Sequence, residues 1–236
     1  MAHRFIFPAP PRRLHEARAR RVVLAALAPL VALSAACGAD AAGRDAAPER
    51  SEWRGTLLAQ PAPKPEFTLA DTEGRPYDFR DETDGHVTLL FFGYTYCPDV
   101  CPIHLASIAR VLDDLAYDER QRVRVVFVST DPERDTPERI RGWLDAFDPT
   151  FVGLRGTIEE VNAIQARMGL PEAVRIDPGT PGAGIATDGG YTVGHAAQVV
   201  AYGLDDRAHL IYPFGTRQRD WAADLPKLVT ERWTTP

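Results

Sequence analysis

The chain has 236 residues, of which 44% are hydrophobic and 25% charged, and a formal net charge of −6 at pH 7. A composition of this kind is typical of a soluble globular domain, and the length suits one domain with an additional tail. Without residues 1–36, which carry six arginines and one glutamate, the net charge becomes −11. So acidic a body excludes nucleic-acid binding by charge repulsion.

Residues 1–36 have the layout of an export signal. A basic region rich in arginine is followed by fifteen uncharged, mainly apolar residues, 22–36. This run is shorter than the roughly 20 residues that a membrane-spanning helix needs, and Pro29 interrupts it. We therefore expect a signal peptide rather than a permanent transmembrane helix. Arg20-Arg21 leaves both the general secretory and the twin-arginine route open.

Cys37 follows directly on three small residues, Ser34, Ala35 and Ala36. Small residues before a cysteine resemble the lipobox of bacterial lipoproteins, in which the cysteine becomes the acylated first residue. The resemblance implies a signal over residues 1–37 and a lipid on Cys37, which would anchor the protein to the outer face of the bacterial cytoplasmic membrane. Ordinary signal cleavage after Ala36, with Cys37 unmodified, is the alternative.

Residues 38–65 are rich in Ala, Gly and Pro and show no sustained periodicity. They predict a flexible tether with an r.m.s. reach of about 30 Å, enough to lift a domain off a membrane surface. From residue 66 onward strand-like and helix-like patterns alternate. We therefore expect a single α/β domain over residues 66–236.

The predicted domain begins with a β-hairpin over residues 66–79. Two strands that are buried on both faces, residues 87–92 and 123–129, are expected to follow. A helix with apolar residues at helical spacing, residues 102–117, lies between them. A strand, a helix and a strand in this order are typical of a sheet that is covered by helices.

Two helices with clear N-terminal signals come next. The first opens at residues 135–138, where Pro137 suits the first turn, and the second opens at the capping box of residues 157–160. Strands at residues 198–204 and 209–214 and a final amphipathic helix complete the chain. The whole order predicts a thioredoxin-like fold.

A Gly- and Pro-rich segment, residues 171–190, precedes the last two strands. We expect it to form a long loop without regular structure. Loops of this length inside compact domains are usually functional or disordered. The loop leads directly into the segment that carries His195.

Cys97 and Cys101 lie at the junction of the predicted strand 87–92 and the following helix. A helix N-terminus favours thiolates, and thiols at positions i and i+4 of a helix face the same way. A structural disulfide over so short a loop would stabilise the fold by only about 2 kcal/mol. The pair is therefore interpreted as reactive, either as a redox pair or as two thiolate ligands of a soft metal ion.

A third ligand for such a metal would be a histidine, and two are candidates. His104 lies on the same predicted helical face as the two cysteines, whereas His195 follows the long loop. Spacing alone leaves both possible. The other histidines are expected to leave with the signal or to lie at the surface beside strands: His3, His15, His86 and His209.

Residues 92–102 (FGYTYCPDVCP), 128–138 (VSTDPERDTPE) and 191–195 (YTVGH) form a set of three motifs. In this order they resemble the signatures of the Sco/SenC family, copper-binding proteins of thioredoxin fold that are needed for cytochrome c oxidase assembly. The resemblance extends over residues 66–230. It implies a copper site with three ligands on one chain.

By this resemblance, Cys97 and Cys101 are the thiolate ligands and His195 is the imidazole ligand of one copper ion per chain. His104 falls outside the ligand positions of the family. The third motif departs from the family pattern, in which Asp often precedes the distal histidine and Ser or Thr often follows it. This chain has Gly194 and Ala196 at these positions.

Asp131, in the second motif, resembles a family position near the metal site. We expect it to orient the site by contacts around the ligands rather than to bind copper itself. A turn or capping role immediately before Pro132 is the alternative interpretation.

The function that the resemblance implies is that of an exported metallochaperone rather than of an enzyme in its own right, and we expect a monomeric copper carrier. It would deliver copper to the dinuclear copper site of a cytochrome c oxidase subunit. The main alternative is a thiol–disulfide oxidoreductase, in which Cys97 and Cys101 reduce an oxidase subunit or another exported thiol protein. A thiol peroxidase and a copper sensor or scavenger also stay open. The two thiol enzymes do not require His195.

Overall fold

A computed structural model describes residues 52–181, 184–186 and 190–233 of the chain. The strands of this part are, in chain order, β1 (Thr56–Pro63), β2 (Thr68–Asp71), β3 (Pro76–Asp78), β4 (Val87–Gly93), β5 (Val123–Ser129), β6 (Val152–Arg155), β7 (Val174–Ile176), β8 (Thr192–Gly194), β9 (Val199–Tyr202) and β10 (Arg207–Tyr212). Its helices are α1 (Phe79–Thr83), α2 (Val100–Asp114), α3 (Tyr117–Arg120), α4 (Pro137–Asp145), α5 (Ile158–Arg167) and α6 (Gln218–Leu228).

Eight of these strands form one twisted sheet in the order β1-β10-β9-β4-β5-β6-β2-β3, and β7 and β8 form a separate ribbon. At its centre, β4 pairs in parallel with β5 and antiparallel with β9. All seven residues of β4 are buried, as the continuous apolar run predicts for a strand that is covered on both faces. The predicted α/β architecture is therefore confirmed.

Side chains of β4 alternate between two cores because successive residues of a strand point to opposite faces. Leu89 and Phe91 pack against the side that carries α2, α4 and α6. Leu90 and Phe92 pack on the other side, with residues of α1 and α5. β4, which is covered on both faces, ends at Gly93, and the segment that carries the two cysteines follows directly.

The predicted helix starts are confirmed at two positions. Thr136 caps α4 by accepting a hydrogen bond from the Arg139 amide, and Pro137 occupies the first turn. Thr157 and Glu160 form the predicted capping box of α5. Such caps satisfy amides that have no partner within the helix, so they can be identified without knowledge of the tertiary fold.

The predicted boundary at residue 66 is wrong, because part of the expected tether belongs to the domain. β1 covers residues 56–63 and pairs with β10, and Trp53 before it is buried. β1 is an edge strand with mostly exposed residues and a break in register between Leu57 and Ala62. It therefore lacks the apolar alternation that identifies strands. Residues 1–51, including the signal and Cys37, lie outside the described residues.

Three further expectations need correction. The segment 171–190 is not wholly irregular, because β7 pairs with β8; a three-residue strand carries too little pattern to be predicted. Cys97 precedes α2, which begins at Val100, so the two cysteines do not share a helix. His209 is not at the surface: it lies in β10 and its ring stacks on Trp233 at 3.8 Å.

In the described part of the chain, no helix has both the length and the apolar character that crossing a membrane requires. The apolar run of residues 22–36 lies outside that part.

Candidate metal centre

The site lies where β4 ends and α2 begins. After Gly93 the chain makes a turn in which the Cys97 amide donates a hydrogen bond to the Tyr94 carbonyl at 3.1 Å. Cys101 then falls in the first turn of α2. Both thiols are free, and both are buried, with 8% of Cys97 and none of Cys101 exposed.

His195 completes a cluster with the two cysteines. It follows β8 by one residue, and its Nε2 lies 3.6 Å from Sγ of Cys101. The possible ligand atoms of Cys97, Cys101 and His195 all lie within 4.8 Å of one another. Among the described residues, the structure therefore brings together the three ligands that the family resemblance implies.

The two thiols have opposite ionisation behaviour. A hydrogen bond from the Cys101 thiol, together with others from the amides of Asp99 and Cys101, lowers the pKa of Cys97 to about 4 in spite of burial. Burial and the neighbouring Cys97 thiolate raise the pKa of Cys101. Without metal, Cys97 is thus the thiolate and Cys101 the thiol at neutral pH. A bound cation would favour ionisation of both.

The imidazole of His195 is oriented for metal binding. Its Nδ1 lies 3.0 Å from the Ala196 carbonyl, and because a carbonyl only accepts, Nδ1 carries the proton. Nε2 is then a bare nitrogen that faces Cys101. The rings of Tyr94 and Phe91 meet the imidazole edge to face, at centroid distances of 5.6 and 6.1 Å. This is the tautomer and the ring packing that a metal-binding histidine needs.

Gly93 makes room for the sulfur of Cys101. A Cβ at this position would lie 2.7 Å from Sγ of Cys101 and 2.9 Å from the Phe127 ring. Sequence reasoning missed this role, although a glycine at the end of a fully buried strand is a recognisable sign of close packing.

Asp135 holds the loop in front of Cys97, a role that sequence reasoning also missed. Its buried carboxylate accepts hydrogen bonds from the amide and hydroxyl of Thr95 and from the hydroxyl of Ser129. Arg139 donates to the same Thr95 hydroxyl at 2.7 Å. The sequence placed Asp135 only at the start of a predicted helix, because its partners Thr95 and Ser129 come from two other segments of the chain.

Asp131 is buried close to the site but touches none of the three cluster residues through a described hydrogen bond. Its carboxylate accepts from the Tyr191 hydroxyl at 2.6 Å and from the Arg134 guanidinium at 2.6 Å. Its carbonyl accepts the Arg134 and Asp135 amides in a turn. Asp131 therefore has the predicted turn role. Since Tyr191 leads into β8, and β8 into His195, an orienting role stays a prediction.

Cation–π contacts connect the loop that carries the cysteines to Tyr191, the residue just before β8. The Arg134 guanidinium lies over the rings of Tyr96 and Tyr191 at 4.8 and 3.6 Å. Arg175, in β7, covers the Tyr191 ring at 3.9 Å. Cation–π contacts of this kind stabilise by about 0.5–2 kcal/mol each, so they contribute to fixing the hairpin that carries His195.

His104, the competing histidine, is not in the cluster. The residue is 1% exposed, and its Nε2 lies 3.2 Å from the Ala197 carbonyl. Burial lowers the pKa of His104. The expectation that His104 lies outside the group of possible ligands agrees with this arrangement.

Two thiols and one imidazole on an α/β scaffold define a protein that can hold a single soft metal ion by three ligands. The family model described as SCO1/SenC matches residues 56–230, and the chain belongs to this family.

Solved structures with similar folds include apo Sco1 from Thermus thermophilus, with 35% identity, a TM-score of 0.63 and coverage of 75% of this chain and 96% of that one. ScoI of Bradyrhizobium japonicum with copper bound has 32% identity and a TM-score of 0.58, and the match covers 71% of this chain and 99% of that one. The predicted thioredoxin-like fold is confirmed by these matches.

The human mitochondrial SCO1 homolog is 42% identical over 81 residues, which are 34% of this chain and 27% of the human protein. In the mitochondrial relatives from yeast, Arabidopsis and human, the matched segment spans only 24–32% of the whole protein. The likeness to them therefore extends over only part of each of these proteins.

Proposed function

We propose that this protein is an exported copper carrier, which holds one copper ion through Cys97, Cys101 and His195 and delivers it to another protein. The observation that carries the proposal is the convergence of these three ligand atoms within 4.8 Å on two distant segments of the chain. The related ScoI structure from Bradyrhizobium japonicum holds copper, which supports copper as the cargo.

The donor set suits both oxidation states of copper. Cuprous ion is soft and favours the two thiolates, while a neutral imidazole adds the donor that makes cupric ion tenable. A three-ligand site leaves room for an incoming ligand. Cys97 is slightly exposed and Cys101 is fully buried, so an acceptor would exchange with Cys97 and His195 first and with Cys101 last.

The proposed acceptor is the dinuclear copper site of a cytochrome c oxidase subunit. One solved structure with a similar fold is that of BsSco, which is described as a member of the Sco family of cytochrome c oxidase assembly proteins. This description supports the choice of acceptor. The signal-like residues 1–36 and the lipobox-like Cys37 support export and a lipid anchor on the outer face of the cytoplasmic membrane. In this arrangement the carrier acts as a monomer beside its membrane-bound acceptor.

Copper titration of the reduced protein tests the proposal. The wild type should bind one copper per chain, with sulfur-to-copper charge-transfer absorption in the cupric form. His195→Ala should weaken cupric binding at least tenfold, since even changes around metal ligands typically cost 10–100-fold. His86→Ala is the matched control, because His86 lies just before β4, at the opposite end of that strand from the site. Equal binding by both variants would contradict the proposal.

A thiol–disulfide oxidoreductase is the second candidate, and the opposite pKa shifts of the two thiols favour it. The Cys97 thiolate would attack a partner disulfide and release one partner thiolate, which takes up a proton. Cys101, after losing its proton, would then attack Sγ of Cys97 in the mixed disulfide and release the second partner thiolate. Partner reduction that survives His195→Ala, together with absence of copper transfer from the wild type, would favour this candidate.

A further inference from the structure

His104 connects α2 to the segment that follows His195. It lies three residues after Cys101, and its Nε2 is 3.2 Å from the carbonyl oxygen of Ala197, two residues beyond His195. Because a carbonyl can only accept, Nε2 of His104 carries the proton and donates it. The hydrogen bond therefore joins the helix of one cysteine ligand to the loop of the histidine ligand.

The loop offers few other polar means of fixing His195. Its neighbours Gly194 and Ala196 have no polar side chains, and Nδ1 of His195 donates only to the adjacent Ala196 carbonyl. In the described part of the chain, two side-chain hydrogen bonds connect residues 195–198 to another element. One joins Cys101 to His195 and so involves two ligand atoms, and the other is the bond from His104 to the Ala197 carbonyl.

Packing restricts the His104 ring as well. It meets the rings of Phe91 and Trp221 edge to face, at centroid distances of 5.4 and 6.1 Å. Phe91 also meets the His195 ring, so one aromatic side chain lies against both imidazoles. A shift of the His104 ring would therefore reach His195 by two routes, the hydrogen bond to Ala197 and the contact with Phe91.

The choice of histidine here is costly for a core position. Nδ1 of His104 is buried and makes no hydrogen bond, and an unpaired buried nitrogen is destabilising where leucine would avoid the cost. The hydrogen bond from Nε2 to the ligand-bearing loop gives a functional reason for a polar side chain at this position.

We propose that His104 is a positioning residue, which holds His195 at the distance from the thiols that cupric ion requires. The inference rests on the proposed copper site. Cuprous ion can be held by the two thiolates alone, whereas cupric ion depends more on the imidazole. Loss of the His104 hydrogen bond should therefore weaken cupric binding more than cuprous binding and raise the reduction potential of the bound copper.

The test compares three variants in the full, detergent-purified chain, with Cys37→Ala in every sample so that Cys97 and Cys101 are the remaining thiols. His104→Leu removes the donor at similar volume, and His104→Gln restores a donor near the position of Nε2. Leu112→Ala is a control, because Leu112 is buried on the same helix, about 12 Å along its axis from His104.

For His104→Leu we expect cupric affinity to fall about 10–100-fold, the range typical of changes around metal ligands. With cuprous affinity nearly unchanged, the potential should rise by about 59 mV for each tenfold loss. His104→Gln should recover most of the cupric affinity, and Leu112→Ala should lower the melting temperature with unchanged copper properties. Unchanged cupric affinity in His104→Leu, or an equal loss in Leu112→Ala, would overturn the inference.

A measurement on the protein that retains His104 tests the inference even if a His104 variant fails to fold. Nitrogen NMR of the His104 side chain should find the proton on Nε2 and a bare Nδ1, and a proton on Nδ1 would overturn the inference. If the unsubstituted protein binds no copper, the proposed function itself fails. If it binds copper and His104→Leu binds it identically, the positioning role alone fails.

Discussion

Sγ of Cys101 lies 3.6 Å from Nε2 of His195, although 94 residues separate them along the chain. Cys101 is placed by the start of α2, and His195 is placed by the short ribbon of β7 and β8. The contact therefore depends on two independently built elements. Changes in either element should alter the metal site without touching a ligand.

Gly93→Ala should displace the sulfur of Cys101 and so disturb the metal site. The added Cβ would lie 2.7 Å from Sγ of Cys101, and overpacking of this kind typically costs about 1–3 kcal/mol. We expect a lower melting temperature together with weaker copper binding. Gly142→Ala is the matched control, since nothing lies within 4 Å of its Cβ and it sits within α4; it should be neutral or stabilising by up to about 1 kcal/mol. Similar behaviour of the two variants would show that the close approach at Gly93 is unimportant.

Cys97 should be the reactive thiol of the metal-free protein. Its pKa of about 4 means that it stays a thiolate between pH 6 and 8, and its slight exposure admits a small reagent. Its alkylation rate by iodoacetamide should therefore be nearly flat over this range, whereas an ordinary cysteine accelerates by nearly 100-fold. Peptide mapping should find the label on Cys97. Cys101→Ala should make the rate more pH-dependent, because the main hydrogen bond to the thiolate is lost, and labelling of Cys101 first would contradict the account.

Asp131→Asn should weaken copper binding without removing a ligand. The substitution removes the carboxylate charge that pairs with the Arg134 guanidinium and weakens the acceptor of the Tyr191 hydroxyl. We expect a loss of about 1–3 kcal/mol in the free energy of unfolding and a drop in cupric affinity of about tenfold. Asp145→Asn, on the exposed side of α4, should change neither quantity. If Asp131→Asn changes stability alone, the residue is a turn residue and not an orienting one.

Removal of the segment before residue 66 should destabilise the domain. A fragment of residues 52–236 retains β1, Trp53 and the amides of Arg54 and Gly55 that bond to the buried Asp224 carboxylate. A fragment of residues 66–236 lacks all of these and exposes β10 as a new sheet edge. We expect cooperative unfolding for the longer fragment and a lower melting temperature or aggregation for the shorter one. Equal melting temperatures would restore the tether boundary that the sequence predicted.

The sequence predicts those parts of the fold that local chemistry determines. The apolar run of β4 and the caps at Thr136 and Thr157 are local signals, and the structure confirms them. β1 was missed because an irregular, mostly exposed edge strand lacks periodicity, and its pairing with β10 is a long-range contact.

The metal site, like the fold, could be predicted only in part from the sequence. Cys97 and Cys101 could be proposed as a pair from their spacing, but His195 could be selected over His104 only through the family resemblance. The roles of Gly93 and Asp135 depend on side chains that other segments bring to them. Such roles follow from the tertiary structure and have no local sequence pattern.

X-ray absorption of the copper-loaded protein tests the central claim most directly, because it identifies the donor atoms around the metal. With Cys37→Ala as background, the account predicts two sulfur donors and one imidazole nitrogen around a single copper ion. His195→Ala should lose the imidazole signal and keep both sulfurs, while His104→Leu should keep all three donors. Two results would contradict the assignment of Cys97, Cys101 and His195 as the copper site. One is an imidazole signal that persists in His195→Ala, and the other is fewer than two sulfur donors in the protein that retains all three residues.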